Sequence, residues 1–99
     1  MPFVMAQPET IEAAAGELHG INAAVWEGNS AMAAPTTGVV PAAADVVSIL
    51  TAAQFSWHAR LFQAVSGEAA AVREQLATTL GISAGSYAAT EIVNTAAVG

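Results

Sequence analysis

The chain has no cysteine and no lysine, and its only basic residues are Arg60 and Arg73. Without cysteine there is no disulfide, no thiolate nucleophile and no thiolate metal ligand. Two cations stand against eight acids, for a formal net charge of -6. That balance excludes the phosphate-neutralising surface that nucleic acid requires. It also excludes the basic face that draws a helix to anionic lipid. No apolar run reaches the roughly 18 residues of a membrane-spanning helix. No charged start and apolar stretch follow Met1, so no ordinary secretory signal is expected, and export would need another route. Aromatic residues are scarce, at 6 %, so the large groups that usually dominate a core are few.

What the chain does have is alanine: 25 of its 99 residues. Alanine is the best helix former, because it loses no side-chain entropy in a helix. It also contributes little apolar area. The composition therefore favours helix strongly and supplies a thin core. Two Ala-rich helices packed only on each other bury too little surface to offset the entropy of ordering them.

The pattern divides one domain into two helices. Residues 1–7 form a short lead. Pro8 suits the first helical position, where a missing N–H costs nothing, and Glu9 and Glu12 suit the positive end of the helix dipole. Ile11, Leu18, Val25 and Met32 then recur at sevens, with Ala14, Ile21 and Gly28 as a second row. This is an amphipathic helix over about 8–34, which Pro35 is expected to end. Gly16, Gly20 and Gly28 each cost such a helix about 0.8–1 kcal/mol against alanine. They point to close helix contact, or to a helix that folds only when packed. A loop spans 35–41, and Pro41 is expected to open a second helix over about 42–80, with Asp45 near its start. In that helix Phe55, Phe62, Ala69 and Leu76 recur at sevens, with His58, Val65, Val72 and Thr79 as the companion row. Leu50, Trp57 and Leu61 lie to the side. Gly81 fits the stop position of the second helix. A tail over 81–99 follows, flexible at first and helix-compatible from about Ser86. A short loop between long helices makes an antiparallel hairpin. Its apolar surface is too wide for one facing helix, so some of these rows close the hairpin and others face a partner. Trp26 and Trp57 share that ambiguity between core packing and interface anchoring.

Residues that carry chemistry are sparse. Gly81-Ile82-Ser83-Ala84-Gly85 has the G-x-S-x-G spacing of a nucleophile elbow. That motif needs a strand–turn–helix corner and a histidine later in the chain; no strand precedes Ser83 and no histidine follows it. His19 and His58 fall on different helices, and no metal-ligand spacing joins them to the scattered acids. No glycine loop of a phosphate-binding type is present. No catalytic, cofactor or metal site is expected. In the tail, Tyr87 and Glu91 stand four apart and share a helix face; by spacing alone such a pair is common.

Taken in order, Pro8-Glu9 at the first helix, PTTGVVPAAADVVS in the loop and Tyr87-x-x-x-Glu91 after the second helix resemble the mycobacterial PE family. The resemblance covers essentially the whole chain and looks like a stand-alone PE protein, with no glycine-rich or enzymatic domain appended. Two departures occur: many relatives carry a second proline where Ala42 stands and an acid where Val46 stands. They bear on where the second helix starts, not on membership. The resemblance implies a two-helix hairpin that completes a four-helix interface with a PPE-family protein as an obligate heterodimer. It implies export by a type VII secretion system, with Tyr87 and Glu91 as the export signal beside a Trp-x-Gly turn of the partner. An EspG-type chaperone would act indirectly, through the PPE subunit. The destination implied is the cell surface or the extracellular space.

The resulting expectation is a non-enzymatic secreted interaction protein with Ile11, Leu18, Ile21, Val25, Met32, Leu50, Phe55, Trp57, Leu61, Phe62, Val65, Val72 and Leu76 at the hairpin or partner interface. Two alternatives stand beside it. One is a pair that aids solute passage across the mycobacterial outer membrane, a role that would rest mainly on the partner. The other is a homo-oligomeric helical protein that needs no PPE subunit.

Overall fold

A computed structural model describes residues 7–98. It is all-α, as expected, with helix α1 over Pro8–Thr37 and helix α2 over Val46–Val98, packed as a hairpin. The lead expected over 1–7 lies outside the described residues except for Gln7.

Gln7 caps α1. Its carbonyl accepts from the Thr10 and Ile11 N–H groups at 3.0 and 3.1 Å, and its side-chain oxygen accepts from the Thr10 hydroxyl at 3.2 Å. Pro8 then occupies the first helical position and Glu9 the first turn. Pro35 does not end the helix; it sits inside the last turn, and α1 continues to Thr37. A proline there removes a single N–H, and the neighbouring carbonyls gain other donors. The Thr36 hydroxyl donates to the Met32 carbonyl and the Thr37 hydroxyl to the Ala33 carbonyl, each at 2.6 Å. The Gly38 N–H closes the end on the Ala34 carbonyl at 3.1 Å. A Cβ on residue 38 would stand 3.2 Å from that same oxygen, so glycine suits the exit.

The loop therefore spans 38–45 rather than 35–41, and α2 starts at Val46 rather than near residue 42. The start is set by Asp45, not Pro41. The Asp45 carboxylate accepts the Ser48 N–H at 2.9 Å and the Ser48 hydroxyl at 2.8 Å, the geometry of a helix N-cap.

The far end of α2 differs more. The helix does not stop at 80, and the expected flexible tail is not one. Gly81 and Gly85 lie inside α2, which is helical through Val98. A glycine costs a helix about 1 kcal/mol. After Pro41 no proline follows, so nothing forbids the next turn, and alanines at 84, 88, 89, 96 and 97 favour it.

The chain divides into two compact units: residues 23–71 form one, and residues up to 22 with those from 72 onward form the other. In each, a stretch of α1 lies against a stretch of α2. In unit 23–71 the buried positions are Ala52, Ser56 and Ala70, with Asn29, Ala33, Ala59, Gln63 and Ser66 half-buried beside them. Gln63 Nε2 donates to the Asn29 carbonyl at 2.9 Å, and the Val39 N–H reaches the Ser56 hydroxyl at 3.3 Å. In the other unit Ala15, Asn22, Ala77 and Ala84 are buried, with Ile11, Leu18, Arg73 and Leu80 half-buried. Arg73 Nε donates to Asn22 Oδ1 at 2.8 Å, Asn22 Nδ2 donates to Glu74 Oε2 at 3.1 Å, and His19 Nδ1 lies 2.9 Å from Glu74 Oε1.

Candidate partner-docking faces

The contact each helix makes with the other is a heptad row of small and polar residues. On α1 it runs Ala15, Asn22, Asn29, Thr36; on α2 it runs Ser56, Gln63, Ala70, Ala77, Ala84. Among the described residues, the buried hydrophobic groups are all alanines, and no large side chain is fully buried. At about 0.8 kcal/mol per buried CH₂, such a seam holds helices together weakly.

On α2 the row of Phe55, Phe62 and Leu76 stands one residue earlier, about 100° around the helix; on α1 Ile21 stands one residue before Asn22, while Ile11, Leu18, Val25 and Met32 stand four residues before the seam, about 40° around. On α2, Phe55, Phe62, Val65, Val72 and Leu76 are 52–64 % exposed. On α1, Ile21, Val25 and Met32 are exposed, while Ile11 and Leu18 are half-buried. Positions 55, 58, 62, 65, 69, 72, 76 and 79 alternate steps of three and four, the spacing of a coiled-coil seam, and none carries a formal charge. The α1 series at 11, 14, 18, 21, 25, 28, 32 and 35 does the same. Each helix thus carries two seams: one met by its neighbour, one bare.

The shift is in the same direction on both helices. Because the helices run antiparallel, a shift in the same sense turns the α1 and α2 rows of each unit to the same flank of that unit. In unit 23–71 this is visible directly: Met32 and Pro35 of α1 line one cleft with Phe55, His58 and Phe62 of α2, holding about 580 Å³. Trp26, Leu50, Trp57 and Leu61 are also exposed, outside these rows. Neither tryptophan packs in the core. Gly16, Gly20 and Gly28 do not mark close contact within the hairpin, since a Cβ added at any of them would meet nothing within 4 Å.

Tyr87 and Glu91 fall on the last turns of α2. Pro8 stands two heptads before Asn22, and Tyr87 stands two heptads after Arg73. The Asn22–Arg73 bond therefore brings the start of α1 level with Tyr87. Beyond that point α2 runs on without α1: Tyr87 is 47 % exposed, and every described residue from Ala89 onward is exposed. The pair is four apart on one continuous helix, so it shares a face.

Ser83 lies in the middle of a helix. Among the described residues no three His, Asp or Glu side chains gather as metal ligands, and no helix is long and apolar enough to cross a membrane. His19 is engaged with Glu74, and His58 lines the cleft.

The family model described as the PE family matches residues 4–94. The PE family protein PE13 of Mycobacterium tuberculosis is 58 % identical over 97 residues, covering 98 % of this chain and 98 % of the relative. PE8 of the same organism is 47 % identical over 97 residues, and the PE-PGRS family protein PE_PGRS5 is 54 % identical over 94 residues. The chain spans 35 % and 16 % of those two longer proteins.

Proposed function

The chain belongs to the PE family, and from that premise we propose that it is a non-enzymatic export partner, folded to completion by pairing with a PPE-family protein. The observation that carries this reading is the placement of the apolar rows. The hairpin closes on alanine, asparagine and serine and leaves its large side chains bare. A half-exposed large side chain leaves on the order of 100 Å² open. The eight exposed members of the bare rows therefore offer about 800 Å², the share one partner contributes to a stable interface. Two helices of the partner laid along this flank make a four-helix interface, with affinity from burial and choice of partner from the charges at its edges.

Export rests on Tyr87 and Glu91. Tyr87 lies level with the start of α1 and Glu91 one turn beyond it, both exposed, so a secretion receptor reaches them while the pair stays assembled. Type VII machinery would recognise this end, with an EspG-type chaperone acting through the PPE subunit, and the pair would reach the cell surface or the extracellular space. The test is copurification followed by export: coexpression with a PPE-type protein gives a soluble one-to-one complex, and Tyr87→Ala leaves that complex intact while removing it from the culture filtrate. Failure of every PPE candidate to pair contradicts the reading and favours self-association.

A further inference from the structure

We propose that Arg60 and Ser56 form a binding site for a carboxylate at the loop end of unit 23–71. The site stands apart from the bare rows. Arg60 follows Ser56 by four residues, about 40° around α2 in one sense, whereas Phe55 precedes it, about 100° in the other. Of the two cations in the chain, Arg73 is bonded to Asn22. Arg60 is exposed, and among the described residues it donates to no group and joins no ion pair. None of the eight acids stands with it. Ser56 is the opposite kind of residue, only 9 % exposed. Its oxygen accepts the Val39 N–H at 3.3 Å, and its own hydroxyl hydrogen is given to no described group. Residues four apart are neighbours on a helix face, so the guanidinium and this hydroxyl can reach one bound group.

Both side chains line a pocket of about 490 Å³, within the range of ligand sites. Residues 37–41 of the α1 exit form one wall and Ile49, Ala52 and Ala53 the other. No acid lines it. The Thr37 hydroxyl is spent on the Ala33 carbonyl at 2.6 Å and the Gly38 N–H on the Ala34 carbonyl at 3.1 Å. What the pocket lacks is an acceptor, and Arg60 calls for a charged one. A guanidinium takes a carboxylate through two parallel N–H bonds, and the Ser56 hydroxyl can add a third. The end of α1 at Thr37 carries partial negative charge. It opposes a dianion such as phosphate about twice as strongly as a singly charged carboxylate. Val39, Pro41 and Ile49 beside the cation favour a carboxylate that carries an apolar group. Such a group comes from an acidic side chain of another protein or from a free carboxylic acid.

With only this chain labelled with ¹⁵N, its two arginines give two Nε–H resonances, and Arg60→Lys identifies which is which. The purified protein, with its PPE-type partner where one pairs, is titrated with 3-phenylpropionate. A saturable shift is expected at Arg60 Nε and at the Val39 amide, at least five times that at Arg73 Nε. The neutral 3-phenylpropionamide is expected to give less than a fifth of it. Arg60→Gln is expected to weaken binding at least tenfold with an unchanged melting curve, since Arg60 makes no internal bond. Acetyl-Leu-Glu-Leu-amide binding tenfold more tightly than 3-phenylpropionate supports the site with a protein segment as its source; the reverse order supports it with a free acid. No saturable shift, an equal response to the amide, or undiminished binding by Arg60→Gln overturns the site. Tighter binding of inorganic phosphate overturns the carboxylate as its ligand. None of these results bears on the pairing reading.

Discussion

Three side chains carry more of this molecule than their size suggests. Asn22 sits at the buried seam, bonded to both Arg73 and Glu74. Arg73 keeps one buried guanidinium nitrogen without a hydrogen-bond partner, so its Nε bond to Asn22 matters the more. A hydrogen bond to a charged group contributes about 1.5–3 kcal/mol. Asn22→Ala is expected to destabilise the complex by about that amount in urea unfolding, against under about 0.5 kcal/mol for an exposed control such as Thr95→Ala. Asp45 acts at the other end. The Ser48 N–H, and then the Ser48 hydroxyl, hold its carboxyl below its ordinary value of 3.8. A lowered pKa in the folded state means that the cap is fully effective above the unfolded value and is lost as pH falls through the folded one. Hydrogen exchange at Ser48 and Ile49 is therefore expected to be faster in Asp45→Ala than in the parent at neutral pH. The difference should shrink well below pH 3.8. A difference that persists in strong acid would separate the cap from the carboxylate. Tyr87 and Glu91 stood as candidates through the family resemblance, since their spacing alone is common; that Tyr87 stands level with Pro8 was not legible, because the register between helices is set by Asn22 and Arg73.

At the scale of the helix, the heptad rows were read correctly as rows and incompletely as faces. Ile11-Leu18-Val25-Met32 and Phe55-Phe62-Leu76 stand out by hydrophobicity, and they are rows. The seam that closes the hairpin is a neighbouring row, one residue on in α2 and four on in α1, made of Ala15, Asn22 and Asn29 against Ser56, Gln63, Ala70 and Ala77. Small and polar residues carry no hydrophobic signal, so the sequence alone left open which row met which neighbour. The helix ends were misjudged for a related reason. Pro35 and Gly81 are breakers in isolation, yet Thr36 and Thr37 supply the last turn of α1 with donors, and alanine carries α2 past Gly81. That last point is testable. A Cβ at residue 81 would meet nothing within 4 Å. Gly81→Ala is expected to stabilise the complex by about 0.8–1 kcal/mol, seen as a higher urea midpoint. A loss of stability would mean that the helix breaks there in solution.

For the molecule as a whole, the all-α hairpin was legible from alanine content, a proline-marked first start and sustained heptads. So was the surplus of apolar surface. What the three-dimensional arrangement adds is that most large side chains are exposed, those of the bare rows among them, while the buried self-contact is left to alanines and a few polar groups. A chain built this way is expected to fold well only when covered. Phe62→Asp, on the bare row, would place an unpaired charge in the proposed interface and is expected to abolish copurification with the partner. Glu68→Gln, off that row, should have no effect. Equal pairing by both would remove the bare row from the interface.

The most direct measurement is the mass and melting behaviour of the chain purified with and without a PPE-type protein, by sedimentation and circular dichroism. An incomplete core predicts a soluble one-to-one complex that melts cooperatively, and a chain that is aggregated or poorly helical by itself. A monomeric chain that melts cooperatively alone would show that the alanine seam suffices, and would contradict the dependence on a partner.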